Sequence, residues 1–97
     1  MAITPGTQKT RHSIIDYVEI RRIARNLNVL GVTIDGKPYD HNWGGELVML
    51  EDWQEFIKYC KVLGDKWGIK ITEETDYHNF NNIDLAIHKE AEEQGEL

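Results

Sequence analysis

Residues 51–68 repeat their large apolar side chains at the spacing of a helix, and this pattern constrains the fold more than any other feature of the chain. At about 100° per residue, the aromatic and aliphatic residues fall on one stripe, and most charged residues lie away from it. The stripe consists of Trp53, Phe56, Ile57, Cys60, Leu63 and Trp67. A chain of 97 residues has room for one core. The segment therefore predicts the central helix of that core, with Gly68 as its C-terminal cap.

Residues 13–28 predict a second helix. Ser13 is suited to cap its start, and Asp16 resembles the acidic partner of a capping box. Asn26 or Asn28 is suited to end it. Its core face, read at helical spacing, comprises Tyr17, Ile20, Ile23, Ala24 and Leu27.

Between these helices the apolar period changes from that of a helix to that of a strand. Leu30, Val32 and Ile34 alternate with smaller residues. Asp35 and Gly36 then tolerate the positive φ angles of a type I′ hairpin turn. The return strand is open: Pro38 suits an edge or a strand start. Alternatively, residues 46–50 pair with the first strand, and residues 37–45 form a long excursion.

The C-terminal third predicts a strand and a helix. Residues 69–74 alternate apolar and polar side chains and predict a short strand. In the helix that follows, Asn82 is suited as the cap. Its thin apolar stripe comprises Ile83, Ala86, Ile87 and Ala91. Such a helix is marginal alone and needs a docking surface.

Together these elements predict a small α+β domain in the order α-β-β-α-β-α, with helices packed on one face of a short, mainly antiparallel sheet. Residues 1–12 lack a period and contain Pro5 and Gly6, which predicts a flexible N-terminal arm. Residues 13–97 are then a single domain that ends in an acidic helix.

The charge of the chain is unevenly distributed. Residues 1–37 hold six basic and three acidic residues, and residues 73–97 hold one basic and eight acidic residues. An acidic segment of this kind favours solubility and can dock a basic partner. The two ends can present opposite surfaces only if folding keeps them apart. If the last helix folds back on the first, the charges cancel within the chain and the hypothesis of a partner loses its main support.

The sequence also bears on location. A single cysteine, Cys60, cannot close an internal disulfide, and no signal peptide is recognisable. The longest aliphatic run is much shorter than the roughly 18 residues that suggest a membrane span. We therefore expect a cytoplasmic protein with no membrane partner.

Three features are candidates for partner binding. The face of the first helix opposite its core combines aliphatic and basic residues: Ile14, Val18, Arg21, Arg22 and Arg25. The last helix offers Glu90, Glu92 and Glu93, and the loop after the hairpin offers Trp43. Basic residues interleaved with apolar ones suit an acidic partner or a phosphate backbone.

Two short loops resemble each other, with His41 in one and His78 in the other, each followed by asparagine. Imidazole groups beside carboxylates can hold Zn²⁺. The spacing matches no zinc motif, however, and Asp, His and Asn are common loop residues. The sequence thus predicts no catalytic, cofactor or metal site. Gly44 and Gly45 lack the lysine and glycine pattern of a phosphate loop.

We therefore expect a small acidic protein-binding module, a regulator or inhibitor of the immunity or anti-defence type, that acts on a larger and basic or nucleic-acid-binding target. One alternative is a nucleic-acid-associated factor that uses Arg21, Arg22 and Arg25, which the net charge of −6 disfavours. The other is a small metal-dependent enzyme that uses His41 and His78. Self-association is left open.

Overall fold

A computed structural model describes residues 2–40 and 50–96 of the chain. Within these residues it has three helices and one two-stranded antiparallel sheet, which confirms the predicted α+β class. The elements are α1 (Tyr17–Val29), β1 (Thr33–Ile34), β2 (Lys37–Pro38), α2 (Leu50–Trp67) and α3 (Tyr77–Gln94).

Helix α1 begins later than its sequence predicts. The N-cap is Asp16, whose carboxylate accepts hydrogen bonds from the backbone N–H groups of Val18 and Glu19 at 3.1 and 3.3 Å. Ser13 instead closes a turn, because its N–H donates to the carbonyl of Thr10 at 2.9 Å. The predicted core face is confirmed: Ile20, Ile23, Ala24 and Leu27 are buried and Tyr17 is half-buried.

The predicted hairpin turn is confirmed at Asp35 and Gly36, which have φ angles of 53° and 77°. Pro38 lies in the return strand β2, opposite Thr33. Leu50, the last residue of the alternative return strand, begins α2, and residues 46–49 lie outside the described residues.

Helices α2 and α3 run parallel. Near their N-terminal ends the Trp53 and Phe80 rings are 5.9 Å apart, and near their C-terminal ends Lys66 and Glu93 are 2.8 Å apart. The connection, residues 68–76, must therefore return along α2. Gly68 starts it with a φ of 68°, and the carbonyl of Glu73 accepts from the Trp53 indole N–H at 2.9 Å.

This connection corrects the predicted third strand. The distance back along α2 is roughly 20 Å, which the few residues between Gly68 and Glu73 cover only when nearly extended. Ile71 is buried and Lys70 is exposed, so the alternation is present. No strand pairs with the segment among the described residues. An alternating pattern reports an extended chain with one buried side, and a strand is only one way to form it.

The backbone of the connection is instead paired by asparagine side chains of α3. The N–H of Thr72 donates to Oδ1 of Asn79 at 2.8 Å. Nδ2 of Asn79 donates to the carbonyls of Thr72 and Glu74 at 2.7 and 2.8 Å. Asn82, predicted as the cap of this helix, donates to the carbonyl of Lys70 at 3.0 Å.

The true N-cap of α3 is Asp76, whose carboxylate accepts from the N–H of Asn79 at 2.8 Å. The predicted apolar stripe of α3 is confirmed, because Ile83, Ala86, Ile87 and Ala91 are all buried. The predicted stripe of α2 is buried from Phe56 to Leu63, and its two end tryptophans, Trp53 and Trp67, are half-buried. Burial raises the pKa of the Cys60 thiol well above its ordinary value, so Cys60 is a neutral core residue.

Candidate partner-binding surfaces

A groove of about 600 Å³ lies where the N-terminal ends of the three helices meet. The parallel arrangement of α2 and α3 places both of their starts at the same end of the molecule. The residues before α1 complete the wall. The lining residues are Ser13, Ile15, Ile20, Leu50, Trp53, Thr75 and Phe80. The floor of the groove is thus largely aromatic and aliphatic.

Trp53 is fixed in this groove by its neighbours. Its indole N–H is bonded to Glu73, and its ring packs 5.5 Å from Phe56 and 5.9 Å from Phe80. Leu50, in contrast, is 68% exposed. The floor of the groove therefore combines an aromatic side chain held in place by its neighbours with an aliphatic side chain whose surface is still exposed to solvent.

Four exposed acidic residues are the sequence neighbours of residues that line the groove. Exposed Asp16 follows Ile15, exposed Glu51 follows Leu50, and exposed Glu74 and Asp76 flank Thr75. We call these four acids the acidic rim. An apolar floor with an acidic rim can hold an apolar side chain and attract positive charge around it.

The outer face of α1 is exposed as predicted at Ile14 (80%) and Val18 (69%). Arg21 is exposed and its guanidinium lies 6.0 Å from the centre of the Tyr17 ring. Arg25 is also exposed, and it donates to the Thr4 hydroxyl at 2.9 Å.

Arg22 is not part of this exposed face, which corrects its predicted position. Its two terminal nitrogens each donate to one carboxylate oxygen of Asp84 at 3.0 Å. One of them also donates to Glu19 at 2.7 Å. Burial alone would lower the pKa of Arg22, but the bonds to Asp84 and Glu19 raise it above its ordinary value. Arg22 is committed to contacts within the chain.

Lys9 joins the same cluster, and its burial was not foreseen. The side chain is 4% exposed, and Nζ lies 3.0 Å from Glu19 and 3.4 Å from Asp84. It also donates to the carbonyl of Thr7 at 3.2 Å. A lysine among threonine, glycine and glutamine carries no sequence signal for burial, because solvated loops have the same composition.

The segment predicted as a flexible arm lies along α1 and α3. Asn26 accepts from the N–H of Thr4 and donates to its carbonyl, both at 2.8 Å. Asn81 makes the same pair of bonds with Lys9, at 2.7 and 2.9 Å. Ile3 is buried, and its N–H donates to the carbonyl of Glu96 at 3.3 Å. We call the surface that holds this segment the arm site; its polar residues are Glu19, Arg22, Asn26, Asn81 and Asp84.

The three glutamates proposed on the last helix have separate environments. Glu90 is 5% exposed and accepts from Lys66 and Gln94, so the expectation of a solvent-facing position is wrong. Burial opposes its ionisation, but these hydrogen bonds hold the pKa of Glu90 below its ordinary value. Glu93 is exposed and pairs with Lys66 at 2.8 Å, and exposed Glu92 lies 3.0 Å from His88.

The acidic C-terminal third is thus partly neutralised within the chain. Asp84 of α3 pairs with Arg22 of α1 and with Lys9, and Lys66 of α2 pairs with Glu90 and Glu93. The last helix thus folds back on the first, and part of the opposite charge cancels within the chain. The uneven charge of the sequence is therefore weaker support for a partner. The acidic rim is the more informative charge feature.

The remaining candidates are only partly covered by the structure. His78 is exposed, and its ring centre lies 4.0 Å from that of Tyr77. His41 and Trp43 lie outside the described residues. Within residues 2–40 and 50–96, no three His, Cys, Asp or Glu side chains are grouped to hold a metal ion.

In the same part of the chain, no helix has both the length and the apolar character that a membrane span requires.

The chain matches no protein-family model, no curated protein and no solved structure. Its function must therefore be inferred from the chemistry of its own surfaces.

Proposed function

We propose that the protein is a small protein-binding module, a regulator or inhibitor, that holds a basic segment of a larger target in the groove between the three helix starts. The observation that carries this proposal is the pairing of an apolar floor with the acidic rim. A segment with one apolar anchor and flanking lysines or arginines would complement both parts.

The apolar floor supplies affinity. Burying one leucine or isoleucine side chain contributes about 1.5–3 kcal/mol. Leu50 is 68% exposed in the free chain and has most of that area available. Trp53 is already oriented by its bond to Glu73, so little side-chain freedom is lost on binding. Tryptophan is also among the residues that most often dominate interface energies.

The acidic rim supplies attraction and selectivity. Opposite charges across an interface raise the association rate and disfavour partners of the wrong sign. The net charge of −6 acts in the same direction over longer distances. Binding should therefore weaken as salt rises, because exposed charges are screened over ~8 Å at physiological ionic strength.

The alternative of nucleic-acid binding has less support. Of its three arginines, Arg22 is bonded to Asp84 and Glu19, which leaves Arg21 and Arg25 exposed. Two arginines give a small electrostatic contribution, since phosphate binding grows with the number of neutralised phosphates. A mobility shift of DNA or RNA by the protein that is lost in Arg21→Ala/Arg25→Ala would favour this alternative.

A matched pair of substitutions on α2 tests the groove. Leu50→Gln removes the exposed aliphatic side chain of the groove. Val62→Gln removes another exposed aliphatic side chain of the same helix, away from the groove. Each variant is used to capture proteins from a lysate of the native host, with wild type alongside. The affinity for the principal captured protein is then measured.

The expected result is an affinity loss of about 10-fold for Leu50→Gln, since about 1.4 kcal/mol corresponds to a factor of ten. Val62→Gln should bind as wild type does. Equal affinity for both variants would show that the groove is not the binding surface.

A further inference from the structure

We propose that the arm site is a recognition site for an extended segment that carries lysine, and that it accepts residues 3–9 from a second copy of this chain as well as from its own. The proposal does not depend on the proposed function, since none of the polar residues of the arm site lines the groove. It rests on the way in which the arm is held.

The arm is bound as a peptide ligand would be bound. Asn26 and Asn81 each pair with both backbone groups of one arm residue, Thr4 and Lys9 respectively. Main-chain pairing of this kind gives affinity for an extended chain, and side-chain pockets give specificity. Both asparagines belong to helices of the domain, so the site does not depend on any residue of the arm for its position.

The specificity of the site lies in its lysine pocket. The ammonium of Lys9 is enclosed by Glu19, Asp84 and the carbonyl of Thr7. With Lys9 in place the cluster holds two cations and two carboxylates. Without a cation there, Arg22 alone would face both carboxylates, and a half-buried negative charge would be left uncompensated. The pocket therefore selects a positively charged side chain.

A second point of selection is Gly6. A Cβ atom at this position would overlap the guanidinium of Arg22, which is itself fixed by Asp84 and Glu19. The site thus favours glycine three residues before the lysine, and a buried aliphatic, Ile3, three residues before the glycine. The arm of another copy satisfies all three requirements, because it is the same sequence.

The link between the arm and α1 permits exchange between copies. It is a turn whose bonds are local and exposed: Thr10 N–H to the Ser13 hydroxyl at 2.9 Å, and His12 N–H to the Thr10 hydroxyl at 3.3 Å. Opening this turn breaks no contact of the arm site. A cavity of about 510 Å³ between the arm and α3 also shows that the arm is incompletely packed on that side. Exchange of an identical segment between protomers is a low-cost route to a dimer.

Within one chain the arm has the advantage of proximity, which corresponds to an effective concentration of roughly millimolar. The exchanged form should therefore be a minor species of wild type at micromolar concentration. It becomes the main species when binding to the same chain is blocked and binding to another chain is permitted.

Two full-length variants create that situation. Lys9→Glu places a carboxylate against Glu19 and Asp84, so this arm is repelled by its own site. Asp84→Lys places an ammonium against Lys9 and Arg22, so this site repels its own arm. In an equimolar mixture each arm finds a compatible site on the other variant. The carboxylate introduced in the arm of Lys9→Glu meets the ammonium introduced in the site of Asp84→Lys. The wild-type arm of Asp84→Lys meets the wild-type site of Lys9→Glu.

Native mass spectrometry of the mixture should show a heterodimer, and each variant alone should not dimerise. The chain carrying both substitutions is the control, since its own arm and site are complementary and it should remain a monomer. A mixture that stays monomeric, with both variants folded by circular dichroism, would overturn the proposal.

A second measurement covers the case in which a variant fails to fold. A fluorescent peptide of residues 2–12 is titrated up to roughly millimolar concentration, which matches the effective concentration of a tethered arm, into full-length Lys9→Gln, whose own arm lacks the cation. The peptide should bind, and a peptide with Lys9→Ala should bind at least about 10-fold more weakly, because its side chain leaves the pocket uncompensated. Equal binding of the two peptides, or no binding of either, would overturn the lysine pocket as a recognition site.

Discussion

Gly64 of α2 lies directly against the carbonyl oxygen of Ile69. The N–H of Ile69 donates to the carbonyl of Gly64 at 2.8 Å. A Cβ atom on Gly64 would stand 2.7 Å from Ile69 O and 2.8 Å from Cδ1 of Ile71. The connection between two parallel helices therefore passes α2 at a point where no side chain fits.

Gly64→Ala should for this reason destabilise the protein. Alanine is favoured over glycine in a helix interior by roughly 1 kcal/mol. Overpacking against a backbone carbonyl costs about 1–3 kcal/mol and should outweigh that gain. Urea unfolding measures the difference. The control is Asp65→Ala at the exposed neighbouring position, which should change stability by less than ~0.5 kcal/mol. A Gly64→Ala protein as stable as wild type would contradict the close approach.

Asn79→Ala should also destabilise strongly. The substitution leaves the N–H and carbonyl of Thr72 and the carbonyl of Glu74 without their partner. A buried polar group left unsatisfied costs about 1–3 kcal/mol, and water can reach part of this segment, so we expect a total loss of about 2–4 kcal/mol. Asn82→Ala removes one such bond and should cost less. Similar losses of stability for the two variants in urea unfolding would show that Asn79 does not pair the backbone of the connection in the way that a neighbouring strand would.

Parts of this fold follow from the sequence because they depend on one element at a time. The apolar stripes of the three helices report buried faces wherever the neighbours lie, and Asp35 with Gly36 specifies a turn by local backbone preference. The N-caps of α1 and α3 are not specified by the sequence, because several suitable residues lie near each helix start. Ser13 competes with Asp16 for α1, and Asn82, which lies inside α3, competes with Asp76. Which of them caps the helix depends on where the flanking chain is held.

The arm site and the connection could not be predicted in the same way. Asn26, Asn79 and Asn81 each bond the backbone of a distant or irregular segment, and asparagine in a helix gives no indication of its partner. Lys9 and Asp84 are far apart in the chain, so their ion pair has no spacing pattern. The groove likewise depends on α2 and α3 being parallel, which follows from the extended return of residues 68–76. In the sequence, that extended return has the same alternating pattern as a strand.

Charge reversal on α3 should have different effects at neighbouring acidic positions. Glu90→Lys places a positive charge in a buried position beside Lys66 and removes the acceptor of Gln94, so the melting temperature should fall. Glu92→Lys changes an exposed residue one turn from His88 and should alter stability by less than ~0.5 kcal/mol. Thermal melting at neutral pH compares the two. Equal melting temperatures would contradict the burial of Glu90.

The arm should be released at acid pH before the domain unfolds. Burial raises the pKa of Glu19, but the hydrogen bonds from Arg22 and Lys9 outweigh it and leave the pKa below its ordinary value. A carboxyl group with a lowered folded-state pKa stabilises the folded form above its unfolded pKa of about 4.3. That contribution is lost as the pH falls through the folded pKa. The charged groups that face Glu19 are Arg22 on α1, Lys9 on the arm and, beyond them, Asp84 on α3.

Hydrogen exchange of individual amides between pH 7 and pH 3 measures this release. The Lys9 and Thr4 N–H groups, which donate to Asn81 and Asn26, should lose protection relative to the N–H of Ile83 in the core, after correction for the intrinsic pH dependence of exchange. Glu19→Gln keeps the size of the side chain but does not titrate. It should lower the protection of Lys9 at neutral pH and reduce its change with pH. Loss of protection at Lys9 and Ile83 together would mean that the arm and the core unfold as one unit.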